Sequence, residues 1–125
     1  MSYRMLVVDD QPPILFAMKE YFAGQGFEVD CAREKEEAEA LLSNFTYSIV
    51  IVDLRLTAFN GADGLEILGR IAAQYPKTRT IMLTAHGSPE IELEARKRAV
   101  DVFLHKPKPL AELAQIVVGL IGSEA

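Results

Sequence analysis

What this chain lacks narrows its setting first. It has a single cysteine, Cys31, so no internal disulfide can form, and a reducing compartment, the cytoplasm, is the expected location. No apolar run approaches the length of a membrane span, and the short run Met5–Val8 closes on Asp9 rather than extending as a secretory signal would. Cations are outnumbered, 13 Lys and Arg against 18 Asp and Glu, for a net charge of −5. That balance argues against direct nucleic-acid binding, which needs clustered Lys and Arg along the phosphates. The basic knot Arg96-Lys97-Arg98 reads as one turn of a solvated helix. Repeats, low-complexity tracts and linkers are absent, and half of the 125 residues are hydrophobic. Residues 1–125 are therefore expected to form one globular domain with a substantial core.

What is present alternates between two periodicities. Leu6-Val7-Val8 reads as a buried strand, and Ile14, Leu15, Met18, Tyr21 and Phe22 follow at helical spacing. Gly24 and Gly26 punctuate before an extended segment at Phe27-Glu28-Val29. Ala38, Leu41, Leu42 and Phe45 mark a second helix, and Ile49–Val52, the most β-branched run, a central strand buried on both faces. Leu65, Leu68, Ile71, Ala72 and Tyr75 form a third helix stopped by Pro76, and Thr80–Leu83 the next strand. Ser88-Pro89-Glu90 is a helix start, with a capping hydroxyl, a first-turn proline and an acid at the positive end of the dipole. The stripe of that fourth helix, Ile91, Ala95 and Ala99, is thin. Val102-Phe103-Leu104 is a fifth strand, and Pro109 opens a last helix with Leu110, Leu113, Ile116, Val117, Leu120 and Ile121 on its stripe. Five βα units in succession predict an α/β fold, a doubly wound five-stranded parallel sheet with strand order 2-1-3-4-5. Ligands of such sheets bind beyond the carboxyl ends of the strands, where the winding reverses, here between strands 1 and 3.

Acids stand at that point. "MLVVDDQPP" runs from strand 1 into Asp9 and Asp10, and "SIVIVDLRL" runs from strand 3 into Asp53. Three crowded carboxylates raise one another's pKa values unless a cation compensates, and a hard divalent ion such as Mg²⁺ suits an all-oxygen donor set. A carboxylate beside such an ion can attack phosphorus and form an acyl phosphate. "IMLTAHG" puts the hydroxyl of Thr84 at the end of strand 4, and "FLHKPKP" puts the ammonium of Lys106 at the end of strand 5. Lys106-Pro107 is a candidate cis peptide. A flavin carrier on the same topology needs N–H donors and hydroxyls after strand 1, where this chain has "DDQPP". An aspartyl phosphatase usually carries a second acid two residues after the nucleophile, where this chain has Arg55.

Together the acidic pair in "VVDDQ", "IVIVDLRL", "LTA" and "FLHKP" resemble the receiver domain of two-component response regulators, a (βα)₅ flavodoxin-like fold, over essentially the whole chain. The resemblance implies that Asp53 accepts a phosphoryl group from a sensor histidine kinase or phosphotransfer protein. It implies that Mg²⁺ is held by Asp9, Asp10, Asp53 and the backbone carbonyl of Arg55, and that Thr84 and Lys106 contact the phosphoryl group. Phe103 matches the aromatic switch position. The face of helix 4, strand 5 and helix 5 is the family's usual contact surface, toward an output protein or domain or in a phosphorylation-dependent dimer. The chain is an enzyme only in the sense of accepting and losing its own phosphoryl group. The competing expectation is a phosphate-independent pseudo-receiver, a binding module with the same fold.

Several positions depart from the family pattern. Thr57 stands where a proline is usual four residues after the acceptor, and Gly61 and Gly64 compete for one glycine position. Ala99-Val100 replaces the usual Gly-Ala step before strand 5, so the fourth helix is expected to end differently. Arg55 and His86 flank the phosphoryl site and are expected to tune the lifetime of the acyl phosphate.

Overall fold

Side chains two apart along a strand share a face of the sheet, and this alternation sorts the core into two halves. In the computed structural model, which describes residues 3–54 and 62–122, the strands are β1 (Arg4–Val8), β2 (Glu28–Ala32), β3 (Ile49–Val52), β4 (Arg79–Thr84) and β5 (Val102–His105). They form one parallel sheet in the order β2-β1-β3-β4-β5, as the periodicity predicts. Met5, Val7, Ile49, Ile51, Ile81 and Leu83 face the helices α1 (Pro12–Gly24) and α5 (Leu110–Gly122). Leu6, Val8, Val50, Val52, Met82 and Phe103 face α2 (Lys35–Asn44), α3 (Asp63–Gln74) and α4 (Pro89–Lys97). Both faces of the central strands are thus covered, which is why β1 and β3 read as unbroken apolar runs.

The elements extend one or two residues beyond the sequence expectation at several ends, and β2 continues through Cys31 to Ala32. Cys31 is half-buried, with Sγ 3.9 Å from the carbonyl of Leu15. The last helix begins at Leu110, and Pro109 serves as its cap, its carbonyl accepting from the Leu113 amide. The Ser88 hydroxyl accepts from the amide of Ile91 at 3.2 Å, the cap expected for α4. Of the residues of α4 only Ala95 is fully buried, with Ile91 partly so, while Glu92–Arg96, Glu94–Lys97 and Glu94–Arg98 pairs line its solvent side.

The end of α4 is where the Ala99-Val100 departure takes effect. Ala99 adopts φ +61°, and the amide of Val100 closes the turn back onto the carbonyl of Ala95 at 3.2 Å. A left-handed alanine costs about 1–2 kcal/mol, against roughly 0.4–1 kcal/mol that glycine loses through its freer unfolded chain. Ala99→Gly is accordingly expected to stabilise the domain by about 0.5–1 kcal/mol, read as a thermal midpoint about 2–6 °C higher. A lowered midpoint would mean that the alanine methyl contributes more through packing than its backbone costs.

Candidate functional site

The acids at the end of the sheet do meet. The strand ladder continues one step past β3, where the amide of Asp53 donates to the carbonyl of Val8 at 2.9 Å, and past β1, where the amide of Asp9 donates to Ala32 at 3.0 Å. These bonds bring Asp9 and Asp53 to adjacent strand ends with both residues buried, while Asp10 is the more open of the three. One oxygen from each of Asp9, Asp10 and Asp53 lies within 4.8 Å of the other two.

The ammonium of Lys106 neutralises part of this cluster. Its Nζ lies 2.6 Å from Asp9 Oδ2 and 3.0 Å from Asp53 Oδ2. Asp9 Oδ1 accepts from the amide of Gln11 at 3.0 Å, which turns the chain toward α1. Burial raises the Asp9 carboxyl pKa, more than the bonds from Lys106 and Gln11 lower it, and the Asp53 charge adds to the rise. For Lys106, burial alone would depress the pKa, but the bonds to Asp9 and Asp53 outweigh it and hold the amine above its usual range. Asp53 Oδ1 remains buried with no hydrogen-bond partner. A buried carboxylate oxygen left bare is costly, and a cation held beside it would offset that cost. The donor set, three carboxylates with one orphaned oxygen, therefore fits a hard divalent ion.

Thr84 ends β4 fully buried, and its Oγ1 accepts from the amide of His86 at 3.1 Å, while its carbonyl accepts from the amide of Lys106 at 3.0 Å. The Lys106–Pro107 peptide is cis, as the sequence suggested.

The sequence model of the response regulator receiver domain family matches residues 5–118. The chain belongs to that family. Receivers are the phosphorylation-dependent signalling domains of two-component systems, and relatives in both sequence and structure agree. The chain is 32% identical over 104 residues to the alginate biosynthesis transcriptional regulatory protein AlgB of Pseudomonas aeruginosa, covering 83% of this chain and 22% of that protein. It is 31% identical over 114 residues to the regulatory protein AtoC of Escherichia coli, covering 91% of this chain and 24% of that protein. This receiver thus spans about a quarter of the length of the curated relatives it matches. Among solved structures, the receiver domain of the Francisella response regulator 1452 superposes with a TM-score of 0.86 at 27% identity, over 98% of this chain and 99% of that one. A response regulator from Burkholderia pseudomallei, solved with a phosphorylated aspartic acid, a calcium ion and citrate, gives 0.83 at 25% identity over 94% of this chain and 66% of that one.

Two features of this receiver site take their surroundings from the structure alone. At the start of α3 the amide of Gly64 donates to the carbonyl of Leu54 at 2.9 Å. A Cβ on Gly64 would fall on the carbonyl oxygen of Asp53 and 2.8 Å from Leu54 Cα. Gly64 thus packs too closely on the end of the Asp53 strand to carry a side chain; Gly61, Thr57 and Arg55, with the Arg55 carbonyl expected as a metal ligand, lie outside the described residues. The neighbouring Asp63 is buried, and burial, then the Glu66 charge, raises its carboxyl pKa. Gly64 was visible in the sequence as one of two candidates, and its close approach to Asp53 is seen only in the structure.

The second is the surrounding of Phe103. Its ring is mostly buried and meets the His105 ring edge-on, with centroids 5.4 Å apart at 76°. A Cβ on Gly87 would come within 3.0 Å of both rings. His105 is itself exposed, on the same side of β5 as Phe103. His86 is exposed and touches the site through its backbone amide.

Proposed function

We propose that this receiver accepts a phosphoryl group on Asp53 from the phosphohistidine of a sensor kinase or phosphotransfer protein and relays the change to an output partner through α4 and β5. A carboxylate oxygen of Asp53 forms the new O–P bond as the N–P bond of the donor breaks, and the imidazole departs with the electron pair. Mg²⁺, when held by Asp9, Asp10 and Asp53, supplies positive charge that screens the incoming phosphoryl oxygens. The orphaned, buried Oδ1 of Asp53 is the observation that carries this reading, because it is an unsatisfied oxygen beside two further carboxylates.

The other residues follow the charge. Lys106, which bridges Asp9 and Asp53 before phosphorylation, re-pairs with a phosphoryl oxygen once Asp53 is esterified. The Thr84 oxygen accepts from His86, so its own proton is free to donate to the new dianion. Drawing Thr84 inward pulls the His86 amide and then Gly87, which has room for no Cβ beside the rings of Phe103 and His105. The ring of Phe103 and the thinly seated α4 then shift together, which is the switch. We infer that Arg55, which lies outside the described residues, and His86 tune the rate at which the phosphoryl group is lost to water.

The test is intact mass after incubation with acetyl phosphate, with and without Mg²⁺, on wild type and Asp53→Asn. A single phosphoryl adduct that needs both the metal and Asp53 is expected. Absence of an adduct from acetyl phosphate and from a phosphorylated histidine donor alike, together with no Mg²⁺ binding, would identify a phosphate-independent module instead.

A further inference from the structure

The aromatic side chain of β5 carries no hydroxyl, so no side-chain hydrogen bond of its own fixes where the ring lies. Phe103 is nevertheless held. Only 8% of its surface is exposed, and it belongs to the same core cluster as Met82, Ala95 and Val100. A second restraint reaches the ring from the surface. The exposed His105 stands edge-on to it, with centroids 5.4 Å apart and planes at 76°. Gly87 closes the group, since a Cβ there would lie 3.0 Å from Phe103 Cε1 and Cζ and 3.0 Å from His105 Cε1.

Both neighbours of the ring are tied to the phosphoryl side of the sheet. His105 is the register partner of Thr84 across β4 and β5, and the next amide, that of Lys106, donates to the Thr84 carbonyl at 3.0 Å. Gly87 follows His86, whose amide donates to Thr84 Oγ1 at 3.1 Å. A displacement of Thr84 thus reaches Phe103 by two short routes, along the strand pair and through the loop after β4. The two routes converge on the contact between the rings.

We propose that His105 is a positioning residue for Phe103, its imidazole clasping the phenyl ring in the resting position until Thr84 moves. Edge-on aromatic pairs attract beyond the area they bury, because the positive rim of one ring meets the negative face of the other. An attraction of that size biases a ring with two positions by about two- to tenfold. The clasp must open when the ring shifts, so it opposes the switch at rest. It is a property of the unphosphorylated chain; only its effect on phosphorylation rests on the function proposed above.

The experiment is relaxation dispersion of the phenylalanine ring carbons in the whole chain, with no phosphodonor present. The Phe103 signal is assigned as the one lost in Phe103→Leu. His105→Ala is expected to raise the population of the minor Phe103 position by about two- to tenfold. His105→Phe, which keeps an aromatic ring, should return the wild-type population, and His105→Gln, which keeps only polarity, should not. A second measurement follows labelling by acetyl phosphate with Mg²⁺. His105→Ala should speed it by about two- to tenfold in the wild-type background and leave it unchanged in Phe103→Leu, as two residues acting through one contact require. Unchanged Phe103 exchange in His105→Ala overturns the proposal. It is also overturned if His105→Gln matches wild type, or if His105→Ala still speeds labelling when the Phe103 ring is gone. A wild-type chain that takes up no phosphoryl group would sink the function proposed above, and the ring exchange alone would then decide the clasp.

Discussion

Gly64→Val is expected to destabilise this receiver by about 3 kcal/mol, lowering its thermal midpoint by about 10 °C, and to disrupt metal binding at the same time. The added carbons would land on the backbone of Asp53 and Leu54, which no side-chain rotation can relieve. Relief would require α3 to retreat from the strand end, giving up the Gly64–Leu54 hydrogen bond and shifting Asp53. Gly69→Ala supplies the contrast within the same helix. Its Cβ would meet only the Arg98 side chain, at 4.0 Å, so the gain in helix propensity of up to about 1 kcal/mol should show. Thermal unfolding followed by circular dichroism checks both. A Gly64→Val protein within about 1 kcal/mol of wild type would show that the contact with Asp53 is dispensable.

Lys106→Met should have opposite effects with and without metal. In the metal-free receiver, the change leaves three carboxylates within 4.8 Å and no ammonium between them, a loss of about 2–3 kcal/mol at neutral pH. The same change removes a cation that competes for Asp9 and Asp53, so Mg²⁺ should bind about tenfold more tightly, equivalent to about 1.4 kcal/mol. Saturating Mg²⁺ should then recover most of the lost stability. Calorimetric titration together with unfolding at zero and saturating metal reads both quantities. Unchanged or weaker Mg²⁺ affinity in the variant would contradict the view that lysine and metal draw on the same carboxylate charge.

The fold was legible because strands buried on both faces leave continuous apolar runs, and because each helix carries its own stripe. The three acids were legible for a related reason: a carboxylate that terminates such a run has to lie at the strand end. Ser88 could be recognised as a cap from its neighbours alone. By contrast, what Gly64 touches depends on the distance between α3 and β3, and the link from Thr84 through His86 and Gly87 to Phe103 depends on how the loop after β4 folds back over β5. His105, at the end of the edge strand β5, is exposed and meets the Phe103 ring edge-on, a contact that the strand pattern alone does not show.

The light anchoring of α4 separates two free-energy scales within one small domain. With Ala95 as its only fully buried residue, the helix can open and reseat at a cost well below that of unfolding the sheet on which it rests. A substitution in the doubly covered strands spends folding stability, whereas one on α4 chiefly alters how often that helix opens and reseats. Sequence change can therefore retune the resting bias of this receiver while leaving the integrity of the molecule nearly untouched.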